Sequence, residues 1–272
     1  MSATILPHTR FDDAFATRGV ATSPGLIPYI TAGFPNRGDT VPLLRAAQET
    51  GCLGAEVGIP FSDPLADGPT IQRSGWQALR NGMTLRLAVG QVQEARAAGV
   101  TMPLAAMTYI NPVLAYGVTE FARDAVRAGL DGLIVPDLPA DEADSVRGSL
   151  HEAGLVLIPL VAPTTPPARL ARICAGAGGF IYCVSRSGVT GARDVIAPEA
   201  LRLLAGVRAV TSLPRALGFG LSRPEHIEAL AGHAEAAVVG SALIDALERE
   251  PSDPAETLQR FVRRILGIPN PA

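Results

Sequence analysis

Residues 53–69 read Leu53-Gly54-Ala55-Glu56-Val57-Gly58-Ile59 and then Pro60-Phe61-Ser62-Asp63-Pro64-Leu65-Ala66-Asp67-Gly68-Pro69. The first part is a short run that is apolar on both sides of the chain, and a proline-braced loop closes it at once. A run of that kind is a strand buried on both faces, as in a parallel sheet. Glu56 is set into it, and an ionised carboxylate in an apolar strand is costly unless something offsets it. Two readings stand for Glu56: a strand-end acid paired with a nearby arginine, or a working acid in a site. The loop behind it carries two more acids, Asp63 and Asp67.

Seven similar segments lie outward from this one. Together the eight predicted strands are 26–31, 54–59, 103–109, 132–135, 156–161, 180–184, 215–219 and 236–239. Helical patterns separate them. Phe121, Ala122, Ala125 and Val126 share one helix face, starting behind Thr119 and stopping at Gly129. Thr165-Pro166-Pro167 reads as a cap residue with proline in the first turn, and Ser222-Arg223-Pro224-Glu225 as a capping box. The gap after the second strand has room for two helices. Eight alternating units with no linker between them predict a (β/α)8 TIM barrel, one domain over residues 1–272. A doubly wound sheet is the competing pattern. An extra N-terminal helix over residues 11–18 is expected to close the barrel floor.

Composition narrows the chemistry. The chain has 272 residues, a hydrophobic share of 47% and a net charge of −3, which fits a large core and disfavours nucleic acid or an anionic membrane as partner. The N-terminus resembles no signal peptide and no apolar run approaches membrane-spanning length, so a cytoplasmic protein is expected. All 23 basic residues are arginine; with no lysine, a lysine Schiff base is excluded. His8, His151, His226 and His233 have no ligand spacing, so no His-built metal site is expected. Cys52, Cys174 and Cys183 are unpatterned and read as small buried hydrophobes.

In a barrel of this type the active site lies at the C-terminal ends of the strands. Glu56 and Asp67 fall there. So do three glycine-bearing turns: 187–191, 218–222 and Gly240-Ser241. Glycines admit close approach of backbone N–H groups to an anion, and Ser241 opens a helix whose positive end favours phosphate. Two carboxylates and a phosphate cradle, without lysine, point to proton transfer on a phosphorylated carbon chain. If a C–C bond breaks, the substrate must supply its own electron sink.

Pro60-Phe61-Ser62-Asp63-Pro64-Leu65-Ala66-Asp67-Gly68-Pro69-Thr70-Ile71-Gln72 resembles the signature of the tryptophan synthase alpha subunit family. So do residues 27–33, 107–113, 185–191 and 218–220, in order along nearly the whole chain. The resemblance implies cofactor-free retro-aldol cleavage of indole-3-glycerol phosphate to indole and glyceraldehyde 3-phosphate. By matched position, it implies that Glu56 is the catalytic acid–base and that Asp67 accepts the indole N–H and stabilises charge on the ring. Tyr182 would pack beside the substrate, with Tyr29, Tyr109 and Ile134 walling the indole. Gly191, Gly220, Gly240 and Ser241 would hold the phosphate, with Phe219 among the binding residues, and Thr190 would lie in a loop that closes over the site. A pyridoxal-phosphate beta subunit is the implied partner, in an alpha2beta2 tetramer, with Asp63 as a contact.

Three other readings belong beside this one. Another phosphosugar lyase or isomerase would share the barrel, although the related indoleglycerol phosphate synthase is expected to need a lysine. A free-standing enzyme would release indole for another use. A non-catalytic subunit would only activate its partner.

Overall fold

The computed structural model of the chain describes residues 6–17, 23–139, 142–184, 196–218 and 220–269. Among them are nine parallel strands: β1 (Gly25–Thr31), β2 (Ala55–Gly58), β3 (Leu104–Met107), β4 (Gly132–Ile134), β5 (Val156–Leu157), β6 (Leu160–Val161), β7 (Ile181–Val184), β8 (Arg215–Gly218) and β9 (Ala236–Val239). Their order in the sheet is β5-β4-β3-β2-β1-β9-β8-β7-β6. The two ends of that list are consecutive pieces of one chain segment. Ile158 N donates to Leu133 O on the β4 side, and Tyr182 N donates to Pro159 O on the β7 side. The segment at 156–161, expected as one strand, is therefore two short ones. Pro159 has no N–H to give, so the ladder cannot run through it and passes from one neighbour to the other. The result is the expected (β/α)8 barrel with its fifth strand split.

Strand side chains alternate between two cores. Ala55 and Val57, Ile181 and Cys183, and Ala237 and Val239 face outward to the helices. Ile27, Ala105, Ile134, Tyr182, Ala216 and Val238 face inward and fill the barrel. Continuous apolar strands follow from this, because both faces are dry. Glu56 has the inward parity, between the outward Ala55 and Val57.

Two helices, Pro69–Arg80 and Leu85–Ala97, fill the gap after β2, as expected. The helix Val118–Ala128 buries Phe121, Ala122, Ala125 and Ala128, and it ends at Gly129 with φ +93°. Burying one such phenylalanine contributes roughly 1.5–3 kcal/mol. Three expected helix starts differ. Thr119 lies inside its helix, and Gly117 is the N-cap. Thr165 Oγ1 accepts from Ala162 N at 3.0 Å, so it turns the chain back instead of capping the helix Pro167–Ala175. The helix Pro224–Glu228 starts behind Arg223 without a capping box, and Ser222 N donates to His226 Nδ1 at 3.2 Å.

The N-terminal helix spans Arg10–Ala16. Its Phe11 and Phe15 are buried, and Phe11 meets Phe180 edge-on with ring centroids 5.2 Å apart. Asp131, just before β4, accepts from Arg10 Nη1, Arg96 Nη2 and Leu104 N at 2.9–3.0 Å. These contacts fix the helix across the N-terminal ends of the strands, opposite the candidate site. Cys52, Cys174 and Cys183 are buried free thiols, and burial pushes the Cys52 and Cys183 thiols up to about 12. Among the described residues no helix is long and apolar enough to cross a membrane.

Candidate active site

The C-terminal ends of the strands open into a cavity of about 420 Å³. Its walls include Tyr29, Glu56, Asp67, Tyr182, Gly220, Gly240 and Ser241, so residues from β1, β2, β7 and the turns after β8 and β9 meet in one place.

Glu56 stands in register with Tyr29 on β1 and Ala105 on β3. It is 1% exposed, and neither carboxylate oxygen has a hydrogen-bond partner among the described residues. The reading of Glu56 as an arginine-paired acid therefore fails. Burial, and secondarily the charge of Asp67, push its pKa up to about 8. An unpaired carboxyl in an apolar enclosure keeps its proton at neutral pH.

Asp67 is half-buried at the far end of the loop after β2. Burial raises its pKa to about 6, against a lowering contribution from the Tyr109 hydroxyl beside it. The loop is held on both sides of Asp67. Ala66 N donates to the Tyr109 hydroxyl at 3.0 Å, and Gln72 Nε2 donates to Asp67 O at 2.9 Å. The helix Pro69–Arg80 behind it is tied to β1 by a buried 2.7 Å hydrogen bond between Thr31 and Ser74.

Two tyrosines wall the cavity, each lying over a glycine of the next strand. A Cβ on Gly58 would stand 2.0 Å from the Tyr29 hydroxyl, and one on Gly218 would stand 2.5 Å from that of Tyr182. Burial, with Glu56 and Asp67 nearby, raises both phenol pKa values well above the usual range, so both hydroxyls stay neutral. At the other end, Gly220 has φ +79° and Gly240 caps the helix Ser241–Arg249. First-turn N–H groups of a helix lack intrahelical partners, which suits an anion.

Tyr109 stands beside Asp67 and lines a small adjoining pocket with Phe61 and Pro64. Ile134 is fully buried in the inward core, in register with Met107 of the cavity wall. Asp63 is exposed on the loop. Thr190, Gly191 and Phe219, with the rest of the turn at 187–191, lie outside the described residues. Sequence reasoning missed Ile71, Met107, Val238 and Asp245 as lining residues. Inward parity from Ala105 and Gly240 would have found Met107 and Val238, and helical spacing from Ser241 would have found Asp245.

The family model described as tryptophan synthase alpha chain matches residues 15–266. Similar curated relatives include the tryptophan synthase alpha chain of Chloroflexus aurantiacus, 47% identical over 260 residues and covering 95% of this chain and 98% of the relative. That of Roseiflexus castenholzii is 45% identical, covering 95% and 100%. Among solved structures, the tryptophan synthase alpha subunit of Legionella pneumophila superposes with a TM-score of 0.87 at 33% identity, covering 96% and 98%. A structure of the tryptophan synthase α2β2 complex of Pyrococcus furiosus gives 0.85 at 41%, covering 90% and 98%.

Proposed function

Because this chain belongs to the tryptophan synthase alpha chain family, we propose that its cavity cleaves indole-3-glycerol phosphate to indole and glyceraldehyde 3-phosphate in tryptophan biosynthesis. The observation that carries the reading is the meeting of two acids in one cavity, Glu56 buried without a partner among the described residues and Asp67 half-buried at its wall. Glu56 titrates near 8 and Asp67 near 6, so near pH 7 the first is an acid and the second an anion. Separated titrations of this sort assign acid and base roles.

Glu56 delivers its proton to C3 of the indole, which turns the ring into an iminium-like indolenine. Asp67 accepts the ring N–H and stabilises the positive charge on it. The Glu56 carboxylate then takes the proton of the glycerol hydroxyl next to the breaking bond. That hydroxyl carbon becomes the aldehyde, the C–C electron pair restores the aromatic ring, and Glu56 is protonated again. Tyr29 and Tyr182 wall the indole, with Tyr109 steadying the loop of Asp67. Gly191, Gly220, Gly240 and Ser241 are assigned to the phosphate, and Phe219 is among the binding residues. By the family resemblance, Thr190 is assigned to closing over the substrate and orienting Asp67. One barrel domain in the cytoplasm suffices for this chemistry.

The Pyrococcus furiosus relative is solved as an α2β2 complex, and a beta subunit is the partner assigned to this chain. The docking edge is the loop with Asp63 and Leu65, together with Leu114. Leu65 is 90% exposed and Leu114 55%, and both follow strand ends on the face of the cavity. Exposed apolar side chains next to a site favour a partner surface.

Purified protein incubated with indole-3-glycerol phosphate should release indole, and adding a beta subunit should raise the rate. No indole under either condition would sink the lyase reading. Cleavage that a beta subunit leaves unchanged would point to the free-standing enzyme.

A further inference from the structure

Asp245 introduces a charge conflict at the phosphate end of the cavity. It lies four residues after Ser241, on the same face of the helix Ser241–Arg249, and it lines the cavity with Gly220 and Gly240. A carboxylate about one turn from the N–H groups that would hold a phosphate dianion opposes its binding. Arg73 answers that charge. Its Nη2 stands 3.3 Å from Asp245 Oδ1 and 3.0 Å from Glu248 Oε2, with Nε 3.3 Å from Glu248 Oε1. It reaches across from the helix Pro69–Arg80, whose Ile71 lines the facing wall. Arg249 and Arg264 border the adjoining recess. Arg249 Nε donates to Asp245 O of its own helix, and the Arg264 guanidinium lies 5.2 Å from the Phe261 ring centroid.

We propose that Arg73 is a positioning residue for phosphate binding, acting through Asp245: by pairing with that carboxylate it removes a repulsive charge from the phosphate end. The proposal rests on the reading of the cavity as a site for a phosphorylated substrate. An exposed ion pair adds little to folding stability, so its loss should show in binding and leave the melting temperature in place.

The test is calorimetric titration of the full chain with inorganic phosphate and with glycerol 3-phosphate at low ionic strength. Arg73→Met should weaken both by about fivefold, and the loss should shrink in high salt. Adding Asp245→Asn to Arg73→Met should restore affinity, whereas adding Glu248→Gln should not, because Glu248 lies outside the cavity wall. An unmodified chain that binds neither anion would overturn the phosphate reading and this proposal with it. Normal binding by the unmodified chain and equal binding by Arg73→Met would overturn only the role of Arg73. Weakening that Asp245→Asn fails to rescue, or that Glu248→Gln rescues equally, would also overturn it.

Discussion

Glu56 combines three properties that seldom occur together: near-complete burial, a neighbouring acid and no hydrogen-bond partner among the described residues. Its folded pKa near 8, against 4.5 for the free side chain, means that the folded chain binds the extra proton between those values. Stability from this carboxyl is therefore full below pH 4.5 and is lost as pH rises through 8, reaching on the order of 5 kcal/mol. Glu56→Gln should remove that loss. The variant should match the parent in urea unfolding at pH 4.5 and exceed it at pH 9, and a gap that ignores pH would refute the assignment. The same variant should lose turnover while still binding glycerol 3-phosphate. Turnover itself should need Glu56 protonated and Asp67 ionised. A plot of kcat/KM against pH is expected to rise near 6 and fall near 8, with both limbs belonging to the interacting pair. A flat profile across that range would separate the two acids from the chemistry.

Among the elements, two strand pairs repeat one device. Tyr29 of β1 lies over Gly58 of β2, and Tyr182 of β7 lies over Gly218 of β8. Neither glycine has a positive φ, so the requirement is space and not backbone conformation. A methyl group at either position must displace a buried tyrosine ring that walls the cavity. Gly218→Ala should cost about 1–3 kcal/mol by overpacking and should cut turnover more than a hundredfold by displacing Tyr182. Calorimetric melting and the indole assay would measure both. Undisturbed activity would show that the tyrosine has room to yield.

At the scale of the molecule, the two ends of the barrel are built for different ends. The N-terminal helix and the Asp131 network seal the floor with aromatic packing and charge-assisted hydrogen bonds. The opposite end keeps its carboxylates, glycines and exposed leucines. Leu65→Asp should leave cleavage by the isolated chain unchanged and weaken its stimulation by a beta subunit about tenfold or more, read by titrating the partner in the indole assay. Stimulation equal to that of the parent would move the docking edge elsewhere.

The barrel was legible in the sequence because its cause is local and repeated. Strands dry on both faces are apolar throughout, and helices between them carry their own periodicity, so residues 26–31 or 236–239 declare themselves without any knowledge of their neighbours. The resemblance at residues 60–72 likewise marks Glu56 and Asp67 as candidates. Strand ends and caps were less legible, since Ser222 and Thr165 found partners that compete with capping. Burial without a partner, the unlike protonation of two acids, the fit of tyrosine over glycine and the pairing of Arg73 with Asp245 were decided by the tertiary structure alone. Each depends on groups brought together from distant parts of the chain, and desolvation, Coulomb interaction and steric exclusion are set by distances in space, not by spacing along the sequence.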